Sequence, residues 1–462
     1  MTDASAPRRP RILCVGAYER DNFGDLLFQI ITAEYLSQAG ADAVYAAPFE
    51  ADMTDLLGLK VPAYGPLLEN EHFDAVWTVG GEVGGTGLDY AYRTAHGEKA
   101  FAEYSAMTPE EKRAILATEN GTVPMESPYL PRASAYARNR QAATVMNSVG
   151  LAGIQGLGAV RKAGMIGILH EATSITVRDK YASAFLEREG VAHNLEPDLV
   201  HSIAVTRPEL GADRGDYILI QASTAHLRKY GIQGFAKAII DSPVLKAHPV
   251  RLFTAGTATG HDSFEKYEEI LAIVKAADPS RRIEISRTID PWARVEEIAK
   301  AKLWIGSSLH GRIISAAYGV PRVSFAKRKV DDYVRTWDDE MPWGVNHHQM
   351  DAAAAKALAM PADDRGKVLG ERAHANILGV IEHVTSWAQY GAPADRLERL
   401  LDIRNEQWSR MYLEIMRSDA ARKAKEEIPL EAIPPTGPVF VRRARRFAAR
   451  AFRKLGRMAE GR

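Results

Sequence analysis

The stretch WIGSSLHGRIISAAYGVPRVSF, residues 304–325, decides the reading of this chain. It opens on an apolar run that fits a strand buried on both faces, and it closes on another. Between them SSLHGRIISAAYG reads as a helix, with Ser307 and Ser308 where the strand hands over to it. The unit is a β-α-β crossover, the building block of a parallel sheet. At the mouth of its helix stand an imidazole, His310, and a guanidinium, Arg312. Free N–H groups near Ser307 and Ser308 share that helix start, so the spacing predicts an anion site with a proton donor beside it.

The same rhythm extends in both directions. RILCVGAY (11–18) reads as a buried strand, ERDNFGD as a turn and LLFQIITAEYLSQAG as a helix. ADAVYAAPF, FDAVWTVGGEVGG, TVMNSVGLAGIQ, SITVRDKYASAFLEREG and VAHNLEPDLVHSIAV continue the alternation. After the charged, proline- and glycine-bearing TRPELGADRGD (206–216), a second series begins, with strands in DYILIQAS, VRLFTAG, RIEISRT, KLWIG and PRVSF. The pattern is α/β, with two tandem Rossmann-like domains whose strand ends face a common cleft. We place the first domain at 11–206, with an irregular, tyrosine-rich insertion at about 86–140 that is either a cover over the substrate or a passive excursion, and the second at 207–365. Residues 1–10 read as a flexible tail, 366–428 as a helical extension, and 429–462 as a linker and basic amphipathic tail. The extension either packs back on the first domain or makes a subunit contact, which leaves an oligomer open.

Composition narrows the function classes. The 462 residues hold 59 Lys and Arg against 59 Asp and Glu, and the formal net charge of zero predicts no nucleic-acid partner. Cys14 is the single cysteine, which excludes an internal disulfide and a cysteine-built zinc site. No metal cluster is visible. The start lacks the apolar core of a signal peptide, and no run approaches the roughly 18 apolar residues of a membrane span. The expected location is cytoplasmic, at the inner face of a membrane. That last element rests on residues 440–458, where Phe440, Ala444, Phe447, Ala451, Phe452 and Leu455 share a helical stripe amid arginines. Such a segment suits an anionic membrane surface.

Further site candidates lie at strand ends. In GAYERDNFGD, Asn22 and Asp25 face the cleft, Asp25 as a helix cap or both as ligands of a sugar or carboxylate. Gly80 and Gly81, next to Glu82, permit close approach of a ligand to the backbone. Arg178 ends an apolar strand and either forks around a carboxylate or phosphate or pairs with Asp179 or Asp198. Lys327, Arg328 and Lys329 bring positive charge to the same edge.

Taken in order, NFGD, VGGEVGG, SITVRDKYASAFLEREG with EPDLV, and SLHGRIISAAYGVPRVSF with AKRKV resemble the polysaccharide pyruvyl transferases over roughly residues 11–335. The resemblance implies a GT-B-like fold and transfer of the enolpyruvyl unit of phosphoenolpyruvate to a sugar hydroxyl, giving a pyruvate ketal and phosphate. It implies no cofactor beyond that donor substrate. It makes Arg178 and Lys327 donor-binding residues and His310 the catalytic acid or a phosphate-side donor. Where the family usually carries arginine before Leu309, this chain has Ser308, and Arg312 is the conjectured replacement. The acceptor side comprises Asn22, Asp25, Gly80, Gly81 and Glu82, for a glycan or lipid-linked oligosaccharide. Two other readings use the same cleft. One is a sugar-nucleotide glycosyltransferase with Asp262 at its nucleotide pocket; the other is a catalytically silent glycan binder.

Overall fold

The computed structural model describes residues 8–361 and 364–426, with side chains on the last helix described as far as 417. Residues 427–462, and with them the expected amphipathic segment 440–458, lie outside the described residues.

Continuous apolar runs make strands buried on both faces, and these assemble into two parallel sheets. The first contains β1 (Arg11–Val15), β2 (Asp42–Ala46), β3 (Ala75–Val79), β4 (Ala143–Val149), β5 (Ser174–Val177) and β6 (Asn194–Leu195), in the order β2-β1-β3-β4-β5-β6. The second contains β7 (Ile218–Gln221), β8 (Val250–Leu252), β9 (Ile283–Ile285), β10 (Leu303–Gly306) and β11 (Arg322–Ser324), in the order β9-β8-β7-β10-β11. Every pairing in both sheets is parallel. Winding reverses between β1 and β3 in one sheet and between β7 and β10 in the other. Ligands of doubly wound sheets sit at such reversals, outside the carboxyl ends of the strands.

Helix α1 (Phe23–Gln38) follows β1. The segment expected to be irregular is instead two helices, α2 (Leu88–Ala106), kinked at Gly97, and α3 (Pro109–Asn120). Helix α3 starts at TPEE, where Thr108 and Glu111 form a reciprocal capping box with Pro109 at the first helical position. Helix α4 (Ala159–Glu171) follows β4, α5 (Leu309–Ala317) joins β10 to β11, and α6 (Arg328–Trp337) follows β11.

Two long helices, α7 (Arg365–Tyr390) and α8 (Arg396–Glu426), return to the first domain. On α7, Asn376 donates to Asn147 Oδ1 at 2.8 Å and Trp387 Nε1 donates to the Gln141 carbonyl at 3.0 Å. On α8, Gln407 Oε1 accepts from Arg132 at 2.8 Å and Arg404 reaches Glu171 at 3.0 Å. Two facing Rossmann-like domains with a returning C-terminal helix make a GT-B-like architecture. None of the described helices is long and apolar enough to cross a membrane.

One apolar core continues from the first domain into the second, joining Ile12, Phe23 and Trp77 to Phe253 and Trp304. Phe23 meets Phe253 edge-on at 5.9 Å, and Phe253 meets Trp304 at 5.4 Å. Burial of each such ring contributes roughly 1.5–3 kcal/mol, so the two domains are held by more than polar contacts. A polar latch adds to this: Asp21 accepts from Arg294 at 2.8 Å and from the Thr257 backbone at 2.9 Å. The loose tail expected over 1–10 is tied at its inner end, where Arg8 pairs with Asp74 and the Pro10 carbonyl accepts from Asp42 N–H.

Candidate active site

The two winding reversals open onto one cleft of about 320 Å³ between the domains. Its first-domain wall includes Asn22, Asp25, Gly80, Gly81, Glu82 and Arg178; its second-domain wall includes His310, Lys327 and Lys329. Nine of the residues singled out in the sequence therefore line a single space.

His310 is positioned by packing. It is the second residue of α5, buried, and its ring meets Phe28 of α1 edge-on at 5.0 Å. A Cβ on Gly24 would overlap the imidazole, so α1 can approach only because that position is glycine. His310 Nε2 lies 3.8 Å from Asp198 Oδ2, an ion-pair distance too long for a hydrogen bond. The first-turn N–H groups of Leu309 and His310 have no intrahelical acceptors.

Asp198 is the hub. Its Oδ1 accepts from Val200 N–H at 3.1 Å, while Oδ2 accepts from Arg178 at 3.2 Å. Burial pushes its carboxyl up, but His310 and Arg178 outweigh this and hold it below the usual carboxylate range. Arg178 reaches on to Glu82 at 3.3 Å. Burial works against the Arg178 charge, and Glu82 and Asp198 overcome it, so the guanidinium stays protonated. Burial raises the Glu82 carboxyl despite Arg178. Of the two sequence alternatives for Arg178, the structure shows the ion pair, with Asp198 rather than Asp179, while the residue also lines the cleft.

The opposite wall supplies charge without partners. Lys327 precedes α6 and Lys329 lies in its first turn, and neither has an ion-pair partner among the described residues. Burial lowers the ammonium of Lys327. Lys329 is lowered to about 7, by burial and then by Lys327 and Arg178. Helix α6 is braced on the first domain by Trp337, whose Nε1 donates to the Arg178 carbonyl at 2.7 Å.

Five expectations change. Arg312 does not reach the cleft: its guanidinium is buried, bonding Asp338 at 2.7 Å, Ser324 at 3.1 Å and the carbonyls of Asp338, Met341 and Pro342. The helix turns a residue two positions beyond His310 toward the core, where the buried Asp338 needs a counter-charge. Ser307 is also structural, its N–H and hydroxyl both donating to Gln221 Oε1 at 2.8 and 3.2 Å. The Ser308 hydroxyl caps α5 on Gly311 N–H at 3.2 Å. Asp25 lines the cleft but does not cap α1; its carboxylate takes Asn22 Nδ2 at 2.7 Å and Arg20 at 3.2 Å. Asp262, offered for a nucleotide pocket, is turned inward onto Gln221 and the Ala255 N–H.

Sequence reasoning passed over Arg20, Tyr90 and Tyr129, which line the cleft, and the link from Asp198 to His310. Tyr129 accepts from Arg20 at 2.8 Å and donates to the buried Glu19 at 2.5 Å. The fragment ERDN contains two of these partners, but nothing in it ties them to a tyrosine 110 residues away. Among the described residues, no group of three or more His, Cys, Asp or Glu could hold a metal ion.

Chemically, the arrangement sets Arg178, Lys327 and Lys329 around one cleft, with a histidine–carboxylate pair at its edge. Comparison with solved structures finds sucrose-phosphate synthase from Thermosynechococcus elongatus at 14% identity, covering 82% of this chain and 96% of that one, with a TM-score of 0.42. It also finds UDP-GlcNAc 2-epimerase from Methanocaldococcus jannaschii at 11% identity, covering 81% and 100%, with a TM-score of 0.46. A search of the curated proteins finds no match. Residues 124–327, the segment that carries Arg178, Asp198, His310 and Lys327, match the model of the polysaccharide pyruvyl transferase family, a family of transferases.

Proposed function

We propose that the chain transfers the pyruvyl group of phosphoenolpyruvate to two hydroxyls of a glycan, free or lipid-linked, with release of phosphate. The observation that carries this reading is the juxtaposition of unpartnered Lys327 and Lys329 with Arg178 around a cleft edged by His310 and Asp198. Phosphoenolpyruvate is small and carries both a carboxylate and a phosphate, so three basic side chains around one cleft suit it.

In the proposed mechanism the charged His310, held toward Asp198, gives a proton to the methylene carbon, and positive charge develops at the adjacent carbon. One sugar hydroxyl forms a C–O bond there, and its proton returns to His310. The second hydroxyl then displaces phosphate from the same carbon, and its proton leaves with the phosphate. Lys327 and Lys329 stabilise the departing dianion. Glu82, raised by burial, is suited to relay the second hydroxyl's proton to the departing phosphate.

Incubation with phosphoenolpyruvate and candidate glycans tests the reading. Phosphate should appear only when an acceptor is present, and His310→Ala should reduce its release by about 10²–10⁴-fold. Release of nucleotide from a nucleotide sugar, with phosphoenolpyruvate inert, would favour the glycosyltransferase alternative.

A further inference from the structure

One face of α8 has no partner on the described chain. Leu400 and Gln407 turn inward, where Gln407 meets Arg132 and α4. Roughly a quarter-turn away, Leu397, Leu401, Trp408, Tyr412 and Ile415 form a stripe in which Leu401, Trp408 and Tyr412 are 65%, 66% and 63% exposed. Monomer surfaces scatter single apolar residues widely; five at helical spacing, two of them aromatic, call for a ligand. The stripe spans about 27 Å at 1.5 Å per residue and is about 10 Å wide. That is well short of the roughly 800 Å² per partner of a stable protein interface.

The chain that follows α8 indicates the occupant. Residues 427–462 contain nine Lys and Arg against three Asp and Glu, with Phe440, Ala444, Phe447, Ala451 and Leu455 spaced among the arginines. Tryptophan and tyrosine favour the boundary between headgroups and acyl chains, and each basic residue near an anionic surface adds to the attraction. We propose that the Leu397–Ile415 face of α8 is a lipid-docking surface that seats the folded domain on an anionic bilayer, acting together with the basic segment that follows it. A single weak apolar anchor gives only marginal binding, so two are needed for stable residence. The proposal stands apart from the reading of the cleft, because none of these residues lines it.

Flotation of the full chain with vesicles of phosphatidylglycerol and phosphatidylcholine, and with phosphatidylcholine alone, tests it. The protein should rise only with the anionic vesicles. The double variant W408S/Y412S should lose at least about tenfold in vesicle partitioning while its turnover on a soluble acceptor stays unchanged. In a second measurement, an Ile415→Cys variant carrying an environment-sensitive dye should shift to the blue on addition of anionic vesicles; buried Cys14 should not compete for the label. Wild-type flotation by W408S/Y412S, together with an unshifted dye, would overturn the proposal. So would a concentration-dependent dimer that the double variant dissolves, which would make a second copy the occupant. So would a dye that is already blue-shifted without vesicles and returns to the red on truncation after 426, which would make the following segment the occupant.

Discussion

Lys329 is the cleft cation whose charge state the surroundings bring to neutral pH. With its ammonium lowered to about 7, it is charged below that pH and neutral above it. Affinity for phosphoenolpyruvate should therefore be full on the acid side and fall as pH rises through about 7, a bound dianion moving the loss upward. Titration calorimetry across this range checks the sign, and Lys329→Arg, which keeps its charge, should flatten the profile. Arg312 makes the contrasting case. Its removal leaves the buried Asp338 with one guanidinium partner fewer, a loss on the order of 3–5 kcal/mol. Arg312→Ala should lower the melting temperature markedly, and the surviving folded protein should bind donor as well as wild type. The sequence shows His310 and Arg178 at strand–helix junctions, where side chains meet a cleft. It does not show that Arg312, equally cationic and two residues away, turns inward, because that depends on an aspartate 26 positions on.

The decisive element-scale feature is the approach of α1 to α5. One helix start offers Gly24 and Phe28, and the other lays His310 across them. Gly24→Ala should displace the imidazole without removing it. Overpacking of this kind costs about 1–3 kcal/mol, so turnover should drop at least tenfold while circular dichroism shows a folded chain. Strands were the most legible elements: all five strands of the second sheet fall within runs that alternate with helical segments. Helices α2 and α3 were hidden by their polar composition, with mean hydropathy too low to show an apolar face. Their contribution to the cleft, through Tyr90 and the neighbouring Tyr129, arises from tertiary placement.

At the scale of the whole molecule, two sheets, a shared apolar core and the Asp21–Arg294 latch bring two strand-order reversals face to face. Neither domain alone makes the site. Arg178, Asp198 and Glu82 come from one side of it, His310, Lys327 and Lys329 from the other. The alternation of strands and helices announces both halves, but which residues meet across the gap is set by how the domains close. Locating phosphoenolpyruvate bound to the intact protein, by crystallography with and without a His310→Ala substitution, is the most direct measurement. The account predicts electron density between Arg178 and the Lys327–Lys329 pair, its methylene carbon within reach of His310 and its position kept in the variant. Donor density elsewhere on the protein, or none at saturating concentration, would contradict it.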